Sequence, residues 1–420
     1  MIHRVTRRIR DRGGALRQGV WILFATVGAG ILNYLANVAA GRTLGPDDYS
    51  VFAALNSFSL ILGAFTSVVH TLVTDQTARL RGRGEQATGV GLLLPLLRVL
   101  LVGSVVGAAL IVLLSRPIAA FLKLPAVLPV VMLALSVIPV SLLPAISGTQ
   151  AGLQRFGALG VTRIGQAVLR LITMVGFLAL GWGATGAVAV LPASSVGAVL
   201  LGIVTIRDIA WRGQASSTLR GLISRSVSVG LALVCFNVLI SGDVIIVKSR
   251  FSPYEAGLYS ALATLGRTTL WLSTSVVTLF LPRASALHAQ GGAGGKLLKR
   301  CALYVGMLAG GAALVCFAFP TRIVSLFFGP EYVPAAWLLG WYSLAMALLS
   351  IVNVWVVHFI SVQEHRYTYV LLVGVAALIG GLAWGAPNSA GAVFVLIGVG
   401  MCLSLAGIPM YLASSRRGAH

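Results

Sequence analysis

The sequence predicts an all-α integral membrane protein of about 12 transmembrane helices, arranged as two parallel six-helix lobes. Three observations carry this: a composition too apolar for a water-soluble chain, a series of apolar stretches of membrane-crossing length, and a repeat of half the chain. The composition is 58% hydrophobic and only 10% charged, with a mean hydropathy of +0.94. A soluble domain needs a charged surface, whereas a chain surrounded by lipid does not.

Each crossing takes about 20 apolar residues to span roughly 30 Å of hydrocarbon. The first set of spans is predicted at 18–40, 50–73, 89–114, 126–147, 158–180 and 184–206. The second set falls at 226–247, 256–281, 299–319, 335–360, 368–386 and 391–413. These use most of the 420 residues, so no extramembrane catalytic domain fits and the chain is not expected to be an enzyme.

The net charge of +21 is an orientation signal rather than a nucleic-acid footprint, because no soluble module gathers it. Arg4, Arg7, Arg8, Arg10, Arg12 and Arg17 precede a first apolar run too long for a cleaved signal peptide. With that end inside, the inner loops collect most of the basic residues, from Arg79, Arg81 and Arg83 to Arg416 and Arg417. The outer loops hold Arg42, Arg116, Lys123, Lys248, Arg250 and Arg322. This asymmetry predicts a multi-pass protein with both termini cytoplasmic. Cys235, Cys301, Cys316 and Cys402 all lie within apolar stretches, so neither a disulfide nor a metal site nor any cofactor is expected.

The repeat pairs Leu44-Gly-Pro46-Asp-Asp48-Tyr-Ser-Val-Phe52-Ala-Ala54-Leu55 with Phe251-Ser-Pro253-Tyr-Glu255-Ala-Gly-Leu-Tyr259-Ser-Ala261-Leu262, at an offset of 207 (253 − 46). A weaker echo pairs Leu153-Gln154 with Val362-Gln363 at 209 (363 − 154). A shift of six spans preserves orientation, which makes the halves parallel repeats. The predicted domains are an N-terminal lobe at 1–210, a cytoplasmic linker at 211–225 and a C-terminal lobe at 226–420. Each repeated proline stands just before a span, where its missing N–H is harmless, and the acid after it favours the helix dipole.

The stretch from Gly41 through Leu44-Gly45-Pro46-Asp47-Asp48-Tyr49 to Phe52 resembles the opening of the polysaccharide biosynthesis proteins, or oligosaccharide flippases. These belong to the multidrug/oligosaccharidyl-lipid/polysaccharide exporter superfamily. Asp243 with Ser252-Pro253-Tyr-Glu255-Ala-Gly257-Leu-Tyr259 resembles the start of that family's second lobe. Gly152-Leu-Gln154-Arg155-Phe156 resembles its loop after the fourth span. The motifs are structural, so they identify the fold better than the cargo. The resemblance implies lobes around a central cavity that opens alternately to each side, lined by spans one, two, seven and eight. It also implies the bacterial cytoplasmic (inner) membrane as location.

Ionisable residues within spans are functional candidates by default, each costing about 2.5–3.5 kcal/mol at mid-bilayer. Arg98, Arg170 and Arg267 are predicted to lie deep, with no acid at equal depth to neutralise them. They suit an anionic cargo; the bland alternative is pairing with helix carbonyls. Arg163 sits nearer a span end and is expected to snorkel to the cytoplasm. Arg267 falls on a polar stripe with Ser260, Thr264, Thr268, Trp271 and Ser275. The second span carries Asn56, Ser59, Gly63, Ser67, His70 and Thr74; the first carries Thr26, Gly30, Asn33 and Asn37. Such stripes line a cavity or serve as interhelical glue, and three of them favour the cavity. Asp243 is either an ion-coupling site or, the favoured reading, a structural acid paired with Lys248 or Arg250. His70 and His358 are read as structural histidines, although His70 lies on the polar stripe. The Gly291-Gly-Ala-Gly-Gly-Lys296 stretch lacks the strand and the Gly and Ser/Thr positions of a phosphate loop.

The expected function is a flippase moving an undecaprenyl-diphosphate-linked oligosaccharide from the inner to the outer leaflet. Arg267 with Arg170 or Arg98 would meet the diphosphate, and the Asn, Ser and His stripes the sugar. The carrier lipid and the diphosphate come from the resemblance; the residues support an anionic, polar cargo. The expected partners are the lipid-linked oligosaccharide, membrane lipids, and a polysaccharide polymerase and glycosyltransferases of the same pathway, with no nucleic acid. Alternatives are an ion-coupled drug antiporter of the same superfamily and a membrane-embedded glycosyltransferase or polymerase. A scaffold or a lipid scramblase also remains open.

Overall fold

The computed structural model describes residues 2–82, 93–207, 219–289, 294–362, 364 and 366–417. Several expectations lie outside the described residues: the basic loops containing Arg83 and Arg212, most of the 211–225 linker, Gln363 and the glycine stretch at 290–293.

The described residues are helical almost throughout. A helical run from Ile2 to Gly82 is broken at Gly45, whose φ of 68° and ψ of 171° suit glycine alone. Pro46 follows; it disfavours helix in the residue before it and is itself tolerated in a first turn. The two arms are α1 (2–44) and α2 (46–82). Then come α3 (Leu93–Leu113), the short α4 (Ser115–Phe121), α5 (Leu128–Gly152), α6 (Phe156–Ala179) and α7 (Gly183–Thr205). After these follow α8 (Leu219–Arg250), α9 (Pro253–Ala289), α10 (Gly294–Ala318) and the short α11 (Pro320–Phe327). A 3₁₀ segment (Pro330–Leu338) leads into α12 (Leu339–Ser361), and α13 (Arg366–Gly380) and α14 (Ser389–Arg417) complete the chain.

Among the described residues, 10 stretches are long and apolar enough to cross a membrane, with α1 and α2 counted as one. α9 is not among them, because Glu255, Arg267 and its hydroxyl residues dilute its apolar content. With α1 and α2 taken separately and α9 added, every predicted span coincides with a long helix.

The structure adds a repeat that the sequence comparison missed. The short helices α4 and α11 follow the third and ninth spans, and two residues beyond the end of each comes a residue with positive φ: Lys123 at 51° and Gly329 at 105°, 206 positions apart (329 − 123). That conformation closes a helix and turns the chain sharply.

Contacts group the chain into two compact units. Unit 1 holds 1–40, 65–120 and 125–222; unit 2 holds 41–64, 121–124 and 223–420. The first half of α2 thus packs with the later helices. In unit 1, α5 packs on α2 through Gly148 and Gly152, where an added Cβ would meet the carbonyls of His70 and Thr74 at 2.7 and 2.8 Å. Such close approach needs glycine. Gln150 of α5 donates to Thr162 of α6 (3.0 Å) and Thr205 of α7 (2.8 Å). In unit 2, Ser252 caps α9 by accepting the Glu255 amide at 3.2 Å. The Glu255 carboxylate accepts the Ser389 amide at the start of α14 at 3.1 Å, so this acid serves a second helix as well as its own.

Candidate functional site

The polar residues predicted within spans fall into two settings. In unit 2, Asp243 is fully buried on α8. Its Oδ1 faces Arg267 Nη2 of α9 at 3.2 Å. Its Oδ2 accepts the hydroxyls of Tyr259 (2.9 Å) and Tyr342 (2.7 Å). Arg267, only 8% exposed, also donates to Ser57 of α2 at 3.4 Å. A charge removed from water holds its place only when paired and hydrogen-bonded, and this pair is both.

Two expectations are thereby corrected. Arg267 is not a cation without an acid at its depth, since Asp243 neutralises it. Asp243 pairs with neither Lys248 nor Arg250, because both follow it on the same helix whereas α9 and α12 bring partners across. Lys248 donates to Ser50 at 2.7 Å, and Arg250 donates to the carbonyls of Leu382 and Ala383. The α9 stripe is also split. Ser260 and Arg267 are buried, Thr264 is half-buried, and Thr268 and Trp271 are exposed. Thr264 and Tyr49 share a hydrogen bond at 2.8 Å. Asn56, also in unit 2, is half-buried. Ser275 lies outside the residues whose side chains are described.

The setting in unit 1 is different. Arg163, Gln166 and Arg170 stand at i, i+3 and i+7 on α6, all half-buried on one face. From Phe156 the two arginines are about 10 and 21 Å along the axis, so Arg163 lies well within the helix rather than near its end. α6 meets α1 at Gly160, which packs against Trp21 and Ala25. Beside that contact, Arg163 Nη1 donates to Thr26 Oγ1 at 3.0 Å. Half-buried Asn33 and Asn37 bond carbonyls of their own helix, Ala29 and Asn33, at 2.9 and 2.8 Å. Half-buried His70 of α2 lies within electrostatic reach of Arg163, and its Nε2 has no hydrogen-bond partner.

Arg98 does not join this group. It is exposed five residues into α3, about 7.5 Å from Leu93, among exposed Leu101, Val102 and Val105. The candidate site is therefore the polar, cation-bearing face of α1, α2 and α6 in unit 1. Gln166 is the residue that sequence reasoning passed over, and Arg163 the one it set aside as a snorkelling side chain. The signal was available in their spacing from Arg170, since seven residues are nearly two turns.

A family model described as polysaccharide biosynthesis protein matches residues 96–337, more than half the chain. The chain belongs to the polysaccharide biosynthesis protein family. No curated protein sequence matches it. Among solved structures it is similar to a multidrug resistance MATE family transporter of the MOP superfamily in an inward-facing conformation. The TM-score is 0.78 at 12% identity, covering 94% of this chain and 98% of that one. It is also similar to the MATE multidrug transporter DinF-BH, at TM-score 0.70 and 12% identity over 94% of both chains. A MOP superfamily transporter from Pyrococcus furiosus, described as having a binding pocket of reverse polarity, matches at TM-score 0.65 and 14% identity. That match covers 96% of this chain and 95% of that one. At such identities the likeness shows the fold: this family member has the all-helical, two-lobed fold of those transporters.

Proposed function

We propose that the protein is a flippase that moves a lipid-linked oligosaccharide across the cytoplasmic membrane of a bacterium by alternating access, for surface polysaccharide biosynthesis. The observation that carries this reading is the α6 face, where Arg163 and Arg170 share one side of the helix and Arg163 lies against Thr26 of α1 and within electrostatic reach of His70 of α2. Holding cations in a transmembrane helix is costly, and an anionic group on the cargo offsets the cost. Guanidinium groups suit a diphosphate because they offer forked donors. Asn33, Asn37 and His70 suit sugar hydroxyls. The family supports the glycan pathway, and undecaprenyl diphosphate is the carrier this reading favours. Asp243 is given a structural role, since both its oxygens are engaged within the protein.

The competing reading is a drug antiporter, favoured by the likeness to multidrug transporters. A cationic drug calls for an accessible buried carboxylate. Among the described residues Asp243 is the acid that is fully buried, and Arg267 neutralises it. The neighbour with a pocket of reverse polarity supports the view that this fold accommodates a change of cargo charge.

The test is glycan export in a strain lacking the gene, complemented by Arg170→Ala and Arg163→Ala. Losing a charge-assisted contact of about 1.5–3 kcal/mol should lower export about tenfold or more at unchanged expression, with partial rescue by Lys. Full export by both variants, or drug resistance conferred by the unmodified chain without glycan export, would overturn the proposal.

A further inference from the structure

In unit 2, α12 ends at Ser361 and α13 begins at Arg366. Beside α8, their packing leaves a cavity of about 10 Å³, room for one group the size of a water molecule. Ala232 of α8, Phe359 and Ile360 of α12, and Tyr367 and Leu371 of α13 line it, and Glu364 of the α12–α13 connection supplies a carboxyl group. The Glu364 amide donates to the Phe359 carbonyl at 2.9 Å, which fixes the residue beside the end of α12. The Tyr367 ring stacks on Phe359 with centroids 4.9 Å apart. Its hydroxyl donates to the Leu403 carbonyl of α14 at 3.0 Å, so Tyr367 is held as a wall.

Glu364 is half-buried. Among the described residues the ion pairs are Arg267–Asp243 and Arg79–Asp75, and Glu364 enters neither. It stands at the C-terminal, negative end of α12, where the helix dipole favours a cation over an acid. An acid there is unfavourable by itself and becomes favourable when a cation joins it. At the echo offset of 209, the first half has Arg155 where the second has Glu364 (364 − 155), so the charge at this connection is reversed. A primary ammonium has the required sign, is about as small as a water molecule and donates three hydrogen bonds. A trimethylammonium is too bulky for the cavity and donates none. Arg366, exposed at the start of α13, suits a phosphate. The predicted orientation sets this end among the cytoplasmic headgroups, and α13 turns Tyr369 and Val373, each 70% exposed, away from the protein.

We propose that Glu364 and Arg366 form a site for an aminophospholipid, phosphatidylethanolamine. The ammonium enters the cavity between α8, α12 and α13, the phosphate meets Arg366, and an acyl chain runs along the exposed face of α13. The inference goes beyond the transport reading and stands whatever glycan the cargo carries.

The test titrates the full-length protein in detergent with phosphatidylethanolamine, phosphatidylcholine or phosphatidylglycerol of matched acyl chains, and reads bound lipid by native mass spectrometry. Phosphatidylethanolamine should bind about tenfold more tightly than either other lipid, the value of one charge-assisted hydrogen bond. Glu364→Gln, on a half-buried connection, should abolish the preference over phosphatidylcholine. Ala232→Leu fills the cavity without changing any charge and should do the same. Arg366→Gln should weaken all three lipids alike. Equal binding of phosphatidylethanolamine and phosphatidylcholine by the unmodified protein overturns the site. So does a preference that survives Glu364→Gln or Ala232→Leu. Tighter binding of phosphatidylglycerol than of phosphatidylethanolamine would mark a general anionic-lipid surface and overturn it as well.

Discussion

At the residue scale, the decisive fact is that the fully buried Asp243 carboxylate of unit 2 is tied on both oxygens to protein groups. Arg267 faces Asp243, and two tyrosines donate to the same carboxylate. Arg42 donates to the Leu326 and Phe327 carbonyls at the end of α11, Lys123 to the Arg250 carbonyl at the end of α8, and Arg250 to carbonyls beyond α13. Cations near helix C-termini satisfy the carbonyls that have no partner within the helix. Removing one member of a buried ion pair leaves the other uncompensated, at about 3–5 kcal/mol. Arg267→Met should therefore lower the melting temperature markedly, while Asp243→Asn/Arg267→Met recovers most of the loss. A thermal-melt double-mutant cycle reads this directly, and additive losses would refute the coupling. Asp243 and Arg267 were both legible as buried charges, but their pairing was not. They are 24 positions apart on different helices, and no local spacing rule reaches across that gap.

At the scale of elements, glycine and proline decide where helices cross and where they stop. Gly45 and Pro46 divide α1 from α2. Gly148 and Gly152 let α5 lie against α2, where the Gly152 Cβ position is 2.6 Å from Thr77 Cβ. Arg81 then reaches the Leu153 carbonyl at 2.6 Å, and Gln154 turns the chain with a φ of 57°. The Gly152-to-Phe156 segment that resembled a family loop is thus a packing and turning device. Gly152→Leu should force α5 away from α2 and lower stability by about 1–3 kcal/mol. Gly157→Ala, with open space at its Cβ position, should leave stability within about 0.5 kcal/mol on the same melts. Equal losses would show that backbone preference, not contact, governs these sites. The helices themselves were readable because a span is long and apolar. Their connections were less so: α4 and α11 are too short for a periodicity signal, and their likeness lies in backbone angles rather than residue types.

At the scale of the whole molecule, the halves share a helical plan and differ in chemistry. At the repeat offset, Asp243 and Arg267 correspond to Ala36 (243 − 207) and Leu60 (267 − 207), so the buried ion pair belongs to the second half. The first half carries its arginines on α6. An even number of spans places both ends on one side of the membrane, and the basic loops favour the cytoplasm. Fluorescent reporters that mature in the cytoplasm should therefore light when fused at either terminus. Phosphatase reporters active outside should respond only after outer-loop fusions, such as one following Lys123. An active phosphatase at either terminus would reverse the assigned orientation.

Sequence alone determined the membrane setting, the number of spans, the repeat and the family, because each depends on composition or on order along the chain. Hydrophobic length is a local sum, and lipid rewards it wherever it occurs. Tertiary structure alone decided which charges are already neutralised within the protein. Arg267 looked like the leading cargo residue until α8 and α12 brought Asp243 and Tyr342 to it. Arg163 looked peripheral until α6 proved to carry it well inside beside Thr26. A charge in a low-dielectric interior is defined by what lies within a few ångströms of it, and that neighbourhood is assembled from distant parts of the chain.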